Sequence, residues 1–442
     1  MHSSEDIAFS GSMWLATLLF VITYAVIMSE KINRAIVALV AAGLMIGLGI
    51  LNQEAAIRGI DFNTIGLLIG MMVIVAVTRQ SGVFQFMAIW SAKKVQAQPW
   101  GVLVMLSLVT AVASALLDNV TTVLLVAPVT LLITEELRVK AYPYLFALIF
   151  ASNIGGTATL IGDPPNIMIG SATGLTFNDF AYNLTPIVLV VMAVTLAPIY
   201  FIWGRHLRAA PEDRQRVMEF NEFDAITDVR LLKQSLSVIG AVIAGFMLAH
   251  YLGLEAATVA MTGAAVLLLL ANFGHNPEHQ SKHVLEAFNE VEWITIFFFV
   301  GLFIVVHGLD STGLLRLLAD KMLALTGGDL NATAMVILWS SAVLSAVVDN
   351  IPFVATMIPL IKAMAPQFGG PEGLMPLWWA LSLGACLGGN GTLVGASANL
   401  VVAGFAERAG QPIRFIRYTL VAFPLMLLSI AISMVYLEMR YL

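Results

Sequence analysis

The chain has 442 residues, of which 59% are hydrophobic and only 11% are charged. Ordinary soluble domains carry about 25% charged residues, so this composition excludes a soluble globular fold. The net charge of −6 offers no basic footprint for nucleic acid. A single cysteine excludes an intrachain disulfide and a multi-cysteine metal site, and we expect neither a metal nor a cofactor.

The chain opens on an acidic segment, MHSSEDIAFSGS, that leads directly into an apolar run. This segment lacks the basic region and the small-residue cleavage site of a signal peptide, so the run is expected to be a membrane span. Apolar runs that approach the roughly 20 residues needed to cross a bilayer then recur along the chain, which predicts a polytopic membrane protein. The continuous runs are 12–29, 33–51, 63–78, 183–203, 235–250, 255–272, 292–307 and 414–438.

Two longer apolar regions, 98–136 and 144–173, are interrupted by polar residues. Both recur in the second half of the chain, at 331–364 and 376–405.

The only long polar connection in the sequence is 204–234, which holds six basic and six acidic residues. It divides the chain into a predicted first transmembrane repeat (1–203), a cytoplasmic linker (204–234) and a second transmembrane repeat (235–442).

The two halves are related as an internal repeat. ALLDNVTTVLLVAPV (115–129) pairs with AVVDNIPFVATMIPL (346–360) at an offset of 231 residues. Further on, IGGTATLIGDPPN (154–166) pairs with LGGNGTLVGASAN (387–399) at an offset of 233 residues. Both blocks agree in order, and a drift of two residues is ordinary for an intervening loop.

The distribution of positive charge predicts the orientation of the halves. With the N-terminus outside, most short-loop Lys and Arg, including Arg34, Arg79 and Arg138, lie in the cytoplasm. This arrangement requires 98–136 to be a re-entrant hairpin that enters and leaves on one face. Each half then has five full spans, and because five is odd the second half is inverted.

The predicted fold is therefore an all-α polytopic membrane protein with ten transmembrane spans. The spans form two inverted five-span repeats, each with a re-entrant hairpin and a broken helix. This plan is common among secondary transporters. We expect a bacterial inner-membrane protein with both termini in the periplasm.

Asp118 and Asp349 stand at the predicted hairpin tips, where a carboxylate costs about 2.5–3.5 kcal/mol on insertion scales. We predict that both carboxylates couple transport to protons or ions, together with Asp163 in the second break. The alternative is that each tip Asp caps the helix that follows it, and the two roles can coexist. The neighbouring Asn119 and Asn350 each supply a donor and an acceptor.

The richest motif is SNIGGTATLIGDPPN (152–166), with its repeat partner CLGGNGTLVGASAN (386–399). It offers uncharged hydrogen-bonding groups, and its glycines let a solute approach the backbone. The alternative is that the glycines pack helices closely while the polar groups satisfy the broken backbone. The predicted substrate-binding residues are Asn119, Asn153, Gly155, Gly156, Thr157, Asn350, Gly388, Gly389, Asn390 and Thr392.

Three acidic side chains and no Lys or Arg lie within these breaks. This pattern disfavours a carboxylate substrate and suits a cation, a proton or a neutral polyhydroxy solute. Cys386 takes the place of Asn153 in the repeat. It is interpreted as a small packing residue, with a thiol that contacts a metalloid as the alternative.

The repeated Asp-Asn tips and the string SNIGGTATLIGDPPNIMIGS resemble the ion transporter superfamily, and within it the arsenite permease and P-protein permease branch. The resemblance covers nearly the whole chain. It implies ten spans in two inverted repeats, each with a hairpin. It also implies efflux of arsenite or antimonite as neutral trivalent hydroxides, driven by inward proton flow. Members of this branch often work alone and sometimes with a soluble ATPase.

The sequence therefore predicts a secondary active efflux permease and not an enzyme, since it contains no nucleophile triad or P-loop. The expected partners are arsenite or antimonite, protons and the lipid bilayer, with a soluble ATPase as a further candidate and the oligomeric state left open. Two alternatives remain. One is a sodium/proton antiporter of the same superfamily, and the other is a dicarboxylate or inorganic anion transporter.

Overall fold

The computed structural model describes residues 11–29 and 31–442, and the described chain is all-helical, as the sequence predicts. The acidic segment 1–10 lies outside the described residues. The first half contains α1 (Gly11–Met28), α2 (Arg34–Gly47), α3 (Gln53–Arg58), α4 (Phe62–Arg79), α5 (Val83–Lys94), α6 (Pro99–Leu116), α7 (Asn119–Glu136), α8 (Tyr142–Gly156), α9 (Pro164–Thr173) and α10 (Phe177–Ile202).

The second half follows a linker that carries the short helix α11 (Pro211–Glu219). It contains α12 (Val229–Leu252), α13 (Ala256–Asn272), α14 (Pro277–Asn289), α15 (Trp293–Ser311), α16 (Leu314–Leu325), α17 (Leu330–Val347), α18 (Asn350–Ala363), α19 (Met375–Gly388), α20 (Ser397–Arg408) and α21 (Phe415–Arg440). The ten helices of one half match those of the other in order, α1 with α12 through α10 with α21.

Nine helices in the described ranges are long and apolar enough to cross a membrane. The apolar helices α2 and α13 are shorter, with 14 and 17 residues. A 14-residue helix rises only about 21 Å, less than the roughly 30 Å of a bilayer core. Of the predicted run 33–51, only Arg34–Gly47 forms the helix α2. Because this helix is shorter than a bilayer core, the number of ten crossings stays a prediction.

Matched glycines place matched helix crossings in the two halves. A Cβ atom on Gly70 would lie 2.6 Å from the carbonyl carbon of Ala260, and one on Gly301 would lie 2.5 Å from that of Ala38. Neither position tolerates a side chain, since small residues are what let helices approach this closely in membranes. The crossing of α4 with α13 and that of α15 with α2 therefore use the same sequence device.

The two interrupted regions each fold as a hairpin, α6–α7 and α17–α18, packed on a broken helix, α8–α9 and α19–α20. One hydrogen bond repeats in both. Ser114 Oγ donates to the carbonyl of Ser152 at 2.6 Å, and Ser345 Oγ donates to that of Ala385 at 2.6 Å. Each hairpin is thus anchored beside the break at which the sequence predicts a site.

Two faces of the helical bundle are used below. The hairpin-1 face carries the outer ends of α6 and α7, the end of α4 and the start of α15. On this face Arg79, at the end of α4, forms an ion pair at 2.7 Å with Glu290, which lies just before α15. The hairpin-2 face carries the outer ends of α17 and α18. The linker packs on the hairpin-1 face, and α12 begins at Val229, six residues before the predicted second repeat.

Candidate functional site

The predicted tip and break residues meet at one place, where the two halves contact each other. Asn153 at the end of α8 connects them. Its Nδ2 donates to Asn390 Oδ1 at 3.0 Å and to Asn399 Oδ1 at 2.9 Å, and its Oδ1 accepts from Asn119 Nδ2 at 3.2 Å. All four amides are buried. They form one network that joins the first hairpin to the break of the second half.

Two repeat partners, Asn166 and Asn399, hold the broken backbone in the same way. Asn166 Nδ2 donates to the carbonyl of Thr159 at 2.9 Å, and Asn399 Nδ2 donates to that of Thr392 at 2.9 Å. Each side chain closes the loop between the two parts of the broken helix in its own half. The polar groups of the motif therefore satisfy the backbone, as the alternative interpretation expected, while other groups remain for a ligand.

The side-chain oxygen of each of these two residues accepts a hydrogen bond from the opposite half. Asn399 Oδ1 accepts from Asn153, whereas Asn166 Oδ1 accepts from Ser382 Oγ at 2.6 Å and lies 3.6 Å from Cys386 Sγ. Cys386 thus occupies the mirror position of Asn153. A thiol is a weak donor, so the mirrored network is weaker on this side.

Asp163, at the start of α9, is fully buried beside this network. Its Oδ1 lies 3.4 Å from Asn350 Nδ2, which reaches it from the second hairpin. The repeat partner of Asp163 is Ala396. The carboxylate therefore belongs to one half only, although both halves contact it.

Several buried polar atoms in this region have no hydrogen-bond partner among the described residues. They are Asp163 Oδ2, Asn119 Oδ1, Thr122 Oγ1 and Asn390 Nδ2. Buried polar groups are nearly always paired in folded proteins, so this concentration indicates a binding place. We call Asn119, Thr122, Asn153, Asp163, Asn350 and Asn390 the central cluster.

The two tip carboxylates cap the helices that follow them. Asp118 Oδ1 accepts from the backbone N–H of Thr121 at 2.7 Å, and Asp349 Oδ1 accepts from that of Ile351 at 3.1 Å. The capping interpretation is confirmed for both residues. Capping uses one carboxylate oxygen, so the predicted coupling role is still open to each of them.

A cation does reach one tip, against the sequence-based argument. Arg34, at the start of α2, donates to Asp349 Oδ2 at 2.7 Å, to Ser397 Oγ at 2.8 Å and to Thr295 Oγ1 at 3.1 Å. The sequence analysis counted only the residues within the breaks, and Arg34 lies outside them. The argument against a carboxylate substrate loses its basis at this tip.

The predicted glycines make backbone contacts. A Cβ on Gly155 would lie 2.2 Å from the carbonyl oxygen of Ala111, and one on Gly388 would lie 2.6 Å from that of Ala342. These two glycines pack each broken helix against its hairpin, as the packing alternative proposed.

Four more of the predicted substrate-binding residues, Gly156, Gly389, Thr157 and Thr392, also lie close to other atoms of the protein. A Cβ on Gly156 would lie 2.5 Å from the carbonyl oxygen of Gly162, whereas one on Gly389 would find its nearest neighbour, the Ala396 side chain, at 3.2 Å. Thr157 Oγ1 donates to the carbonyl of Asn153 at 2.7 Å, and Thr392 Oγ1 donates to that of Ala346 at 2.5 Å. Substrate contact by these residues stays a prediction.

Two cavities lie at opposite ends of α18, the helix that begins at Asn350 of the central cluster. One, of about 320 Å³, is lined by Arg34, Asp349 and Ser397 at the start of the helix. The other, of about 260 Å³, is lined by Asp61 and His307 near its end, at the hairpin-2 face. A buried polar centre between two such openings is the arrangement that alternating access requires.

An inverted pair of helical repeats, two hairpins and a buried polar centre define a polytopic membrane transporter. The fold matches the solved structure of the Alcanivorax borkumensis YdaH transporter, with a TM-score of 0.57 over 98% of this chain and 99% of that one. Sequence identity to it is 13%, so the likeness shows the fold alone.

Sequence comparison gives the family. Residues 24–384 match the model of the CitMHS family, which is described as citrate transporter, and the chain belongs to this family. It is 43% identical to an uncharacterized transporter of Mycobacterium tuberculosis over 97% of this chain and 98% of that protein. It is also 31% identical to the human P protein, over 96% of this chain and 59% of the P protein. The similarity to the P protein is confirmed, and placement in the arsenite permease branch remains a prediction.

Proposed function

We propose that this chain is a proton-coupled secondary transporter that exports a small neutral hydroxylated solute, with the trivalent hydroxides of arsenic and antimony as substrates. The supporting observation is the set of unpartnered buried atoms in the central cluster, which includes acceptors, an amide donor and a hydroxyl. A trihydroxide both donates and accepts hydrogen bonds, so it can satisfy such a mixed set. It carries no charge, so it needs no counter-ion from the protein.

Asp163 and Asp118 are the proposed proton carriers. Neither carboxylate has an ion-pair partner among the described residues. A carboxylate that binds a proton loses its charge and with it most of the cost of its burial. Proton binding and solute binding at the central cluster can then alternate. Asp349, paired with Arg34, takes part in this scheme only when that pair separates.

A second candidate is transport of a carboxylate. It is favoured by Arg34, whose guanidinium lies beside the hydroxyls of Ser397 and Thr295 in an open cavity. Arg commonly binds carboxylates in a bidentate manner, and the family description names citrate. In this scheme the side chain of Asp349 occupies the place of the substrate carboxylate until the substrate displaces it.

The test uses purified protein in liposomes with an imposed pH gradient and a pH-sensitive dye inside. Arsenite, citrate and sodium are added separately. Proton movement with arsenite is the expected result, and Asp163→Asn should reduce it about a hundredfold, the low end for removal of a proton-transfer group. Asp320→Asn, the same change at an exposed position on α16, is the matched control.

The other outcomes separate the candidates. Proton movement with citrate alone would establish the second candidate and contradict the first. Movement with sodium alone would make the protein a sodium/proton antiporter. No movement with any of the three would contradict proton-coupled transport of these solutes.

A further inference from the structure

A narrow cavity connects the hairpin-1 face with the first hairpin. Its volume is about 30 Å³, and its polar lining comes from Arg79, Thr121, Glu290 and Glu292. That volume accommodates one or two water molecules. The remaining lining is apolar and comes from α4 and α7, so water in this cavity would be confined to its polar groups.

The two ends of the cavity differ in character. At its outer end, the Arg79–Glu290 ion pair has about half of each side chain exposed. At its inner end, Thr121 lines the cavity and donates its backbone N–H to Asp118 Oδ1 at 2.7 Å. The cavity therefore leads from an exposed ion pair to the residue that holds Asp118.

Glu292 lies between these ends, just before α15. Its Oε2 accepts from Thr295 Oγ1 at 3.1 Å, which is the one hydrogen bond to its carboxylate within the described chain. It does not cap α15. The carboxylate therefore has free lone pairs for water in the cavity.

Asp61 is the repeat partner of Glu292 and shows what a capping residue does at this position. Its carboxylate accepts from the backbone N–H groups of Asn63 and Thr64 at 3.1 Å each, from Thr64 Oγ1 at 2.6 Å and from Ser171 Oγ at 2.9 Å. These four bonds stabilise its charge. Both halves keep a threonine three residues later, but the longer Glu side chain leaves the helix end uncapped.

The charged groups around Glu292 come from several elements. Asp118 lies on the α7 side, Arg34 on α2, Arg79 on α4 and Glu290 in the segment before α15. Burial and the negative charge of Asp118 together raise the pKa of the Glu292 carboxyl, against the smaller lowering effects of Thr295 and Arg34. The group therefore binds protons more readily than an exposed Glu does.

We infer that Glu292 is a proton relay that connects the hairpin-1 face with Asp118. This inference rests on the proposed proton coupling. Hydronium in the cavity gives a proton to the Glu292 carboxylate and becomes water. Glu292 then passes that proton through a water to the Asp118 carboxylate and returns to its ionised form. Only O–H bonds are made and broken, and no other reactant is needed.

Glu292→Gln keeps the size and the hydrogen bond to Thr295 but cannot exchange a proton. It should slow transport driven by a pH gradient at least about tenfold, while substrate-for-substrate exchange without a gradient stays within about twofold. Glu292→Asp should restore part of the gradient-driven rate. Glu286→Gln, on the exposed surface of α14, is the matched control. Wild-type rates of gradient-driven transport in Glu292→Gln would overturn the inference.

A second measurement needs no substrate and thus separates this inference from the proposed function. In a Cys386→Ser background, Thr121→Cys should exchange its thiol hydrogen in D2O, followed by the S–H infrared band, because a cavity of about 30 Å³ admits water but no larger reagent. Val123→Cys, on the same helix but fully buried, should exchange far more slowly. Protection of Thr121→Cys from exchange in the folded protein would show that the cavity admits no water, and would overturn the relay even if proton coupling were established.

Discussion

Asp118 and Asp349 occupy equivalent positions in the repeat, yet their surroundings differ. Asp349 forms an ion pair with Arg34, while the repeat position of Arg34 on α13 is Ala256, which brings no charge to Asp118. Sequence equivalence thus hides a chemical difference, because the partner comes from a helix in the other half. At the residue scale, this asymmetry supports the proposal that the first repeat carries protons while Asp349 is held in an ion pair in the second.

The Arg34–Asp349 pair should be visible as a coupling free energy. Arg34→Gln leaves Asp349 without its counter-ion in a partly buried place. The expected loss is about 1–3 kcal/mol of stability, between that of exposed and fully buried pairs. The measurement is unfolding in detergent for both single variants and for Arg34→Gln with Asp349→Asn.

The double variant supplies the control. It should be more stable than the sum of the two single losses predicts, since it leaves no uncompensated charge. If the losses simply add, the pair contributes no coupling, and the guanidinium acts through Ser397 and Thr295 instead.

At the scale of helices, the sequence predicted both hairpins, both broken helices and the glycines that position them. These features are local strings that occur twice, so a single chain provides its own comparison. The sequence could not show that Arg34 meets Asp349, because 315 residues separate them. Neither could it show that the charge of Asp118 acts on Glu292, since their separation depends on how α15 is placed beside the first hairpin.

Gly155 tests whether the repeated glycines set the helix packing. A Cβ at this position would lie 2.2 Å from the carbonyl oxygen of Ala111, so Gly155→Ala must push α8 away from α6. Overpacking of this kind costs about 1–3 kcal/mol. We expect a lower unfolding temperature and, because Asn153 is displaced, weaker substrate binding.

Gly404→Ala is the control for this variant, because nothing lies within 4 Å of its added Cβ. Gly404 lies within a helix, so its replacement by Ala should leave the free energy of unfolding unchanged or raise it slightly. Equal unfolding temperatures for Gly155→Ala and the wild type would mean that α8 and α6 can separate at little cost, and the packing role would then be refuted.

At the scale of the whole molecule, the linker joins two halves that must rearrange for transport. It is fastened to the hairpin-1 face of the first half. Lys93 Nζ donates to Glu222 Oε2 at 2.5 Å and to the carbonyl of Phe220 at 2.8 Å, and Arg214 donates to the carbonyl of Gln96 at 2.8 Å. These bonds attach the linker to the first half, so the linker should move with that half.

This attachment should weaken in acid. The hydrogen bond from Lys93 lowers the pKa of Glu222. A carboxyl whose pKa is lowered in the folded state contributes stability above its ordinary value of about 4.3, and this contribution is lost as the pH falls through the lowered value. The linker should therefore be docked at neutral pH and released in acid, as the pH falls through the lowered pKa of Glu222. A spin label on Gln215→Cys, exposed on α11, reports the mobility of the linker in a Cys386→Ser background.

The linker of Glu222→Gln should be mobile already at pH 7 and respond less to acid, whereas that of Glu219→Gln should behave as in the wild type. The same acid midpoint in Glu222→Gln and wild type would assign the release to another carboxylate, such as Asp213, which pairs with Arg138 and Arg216.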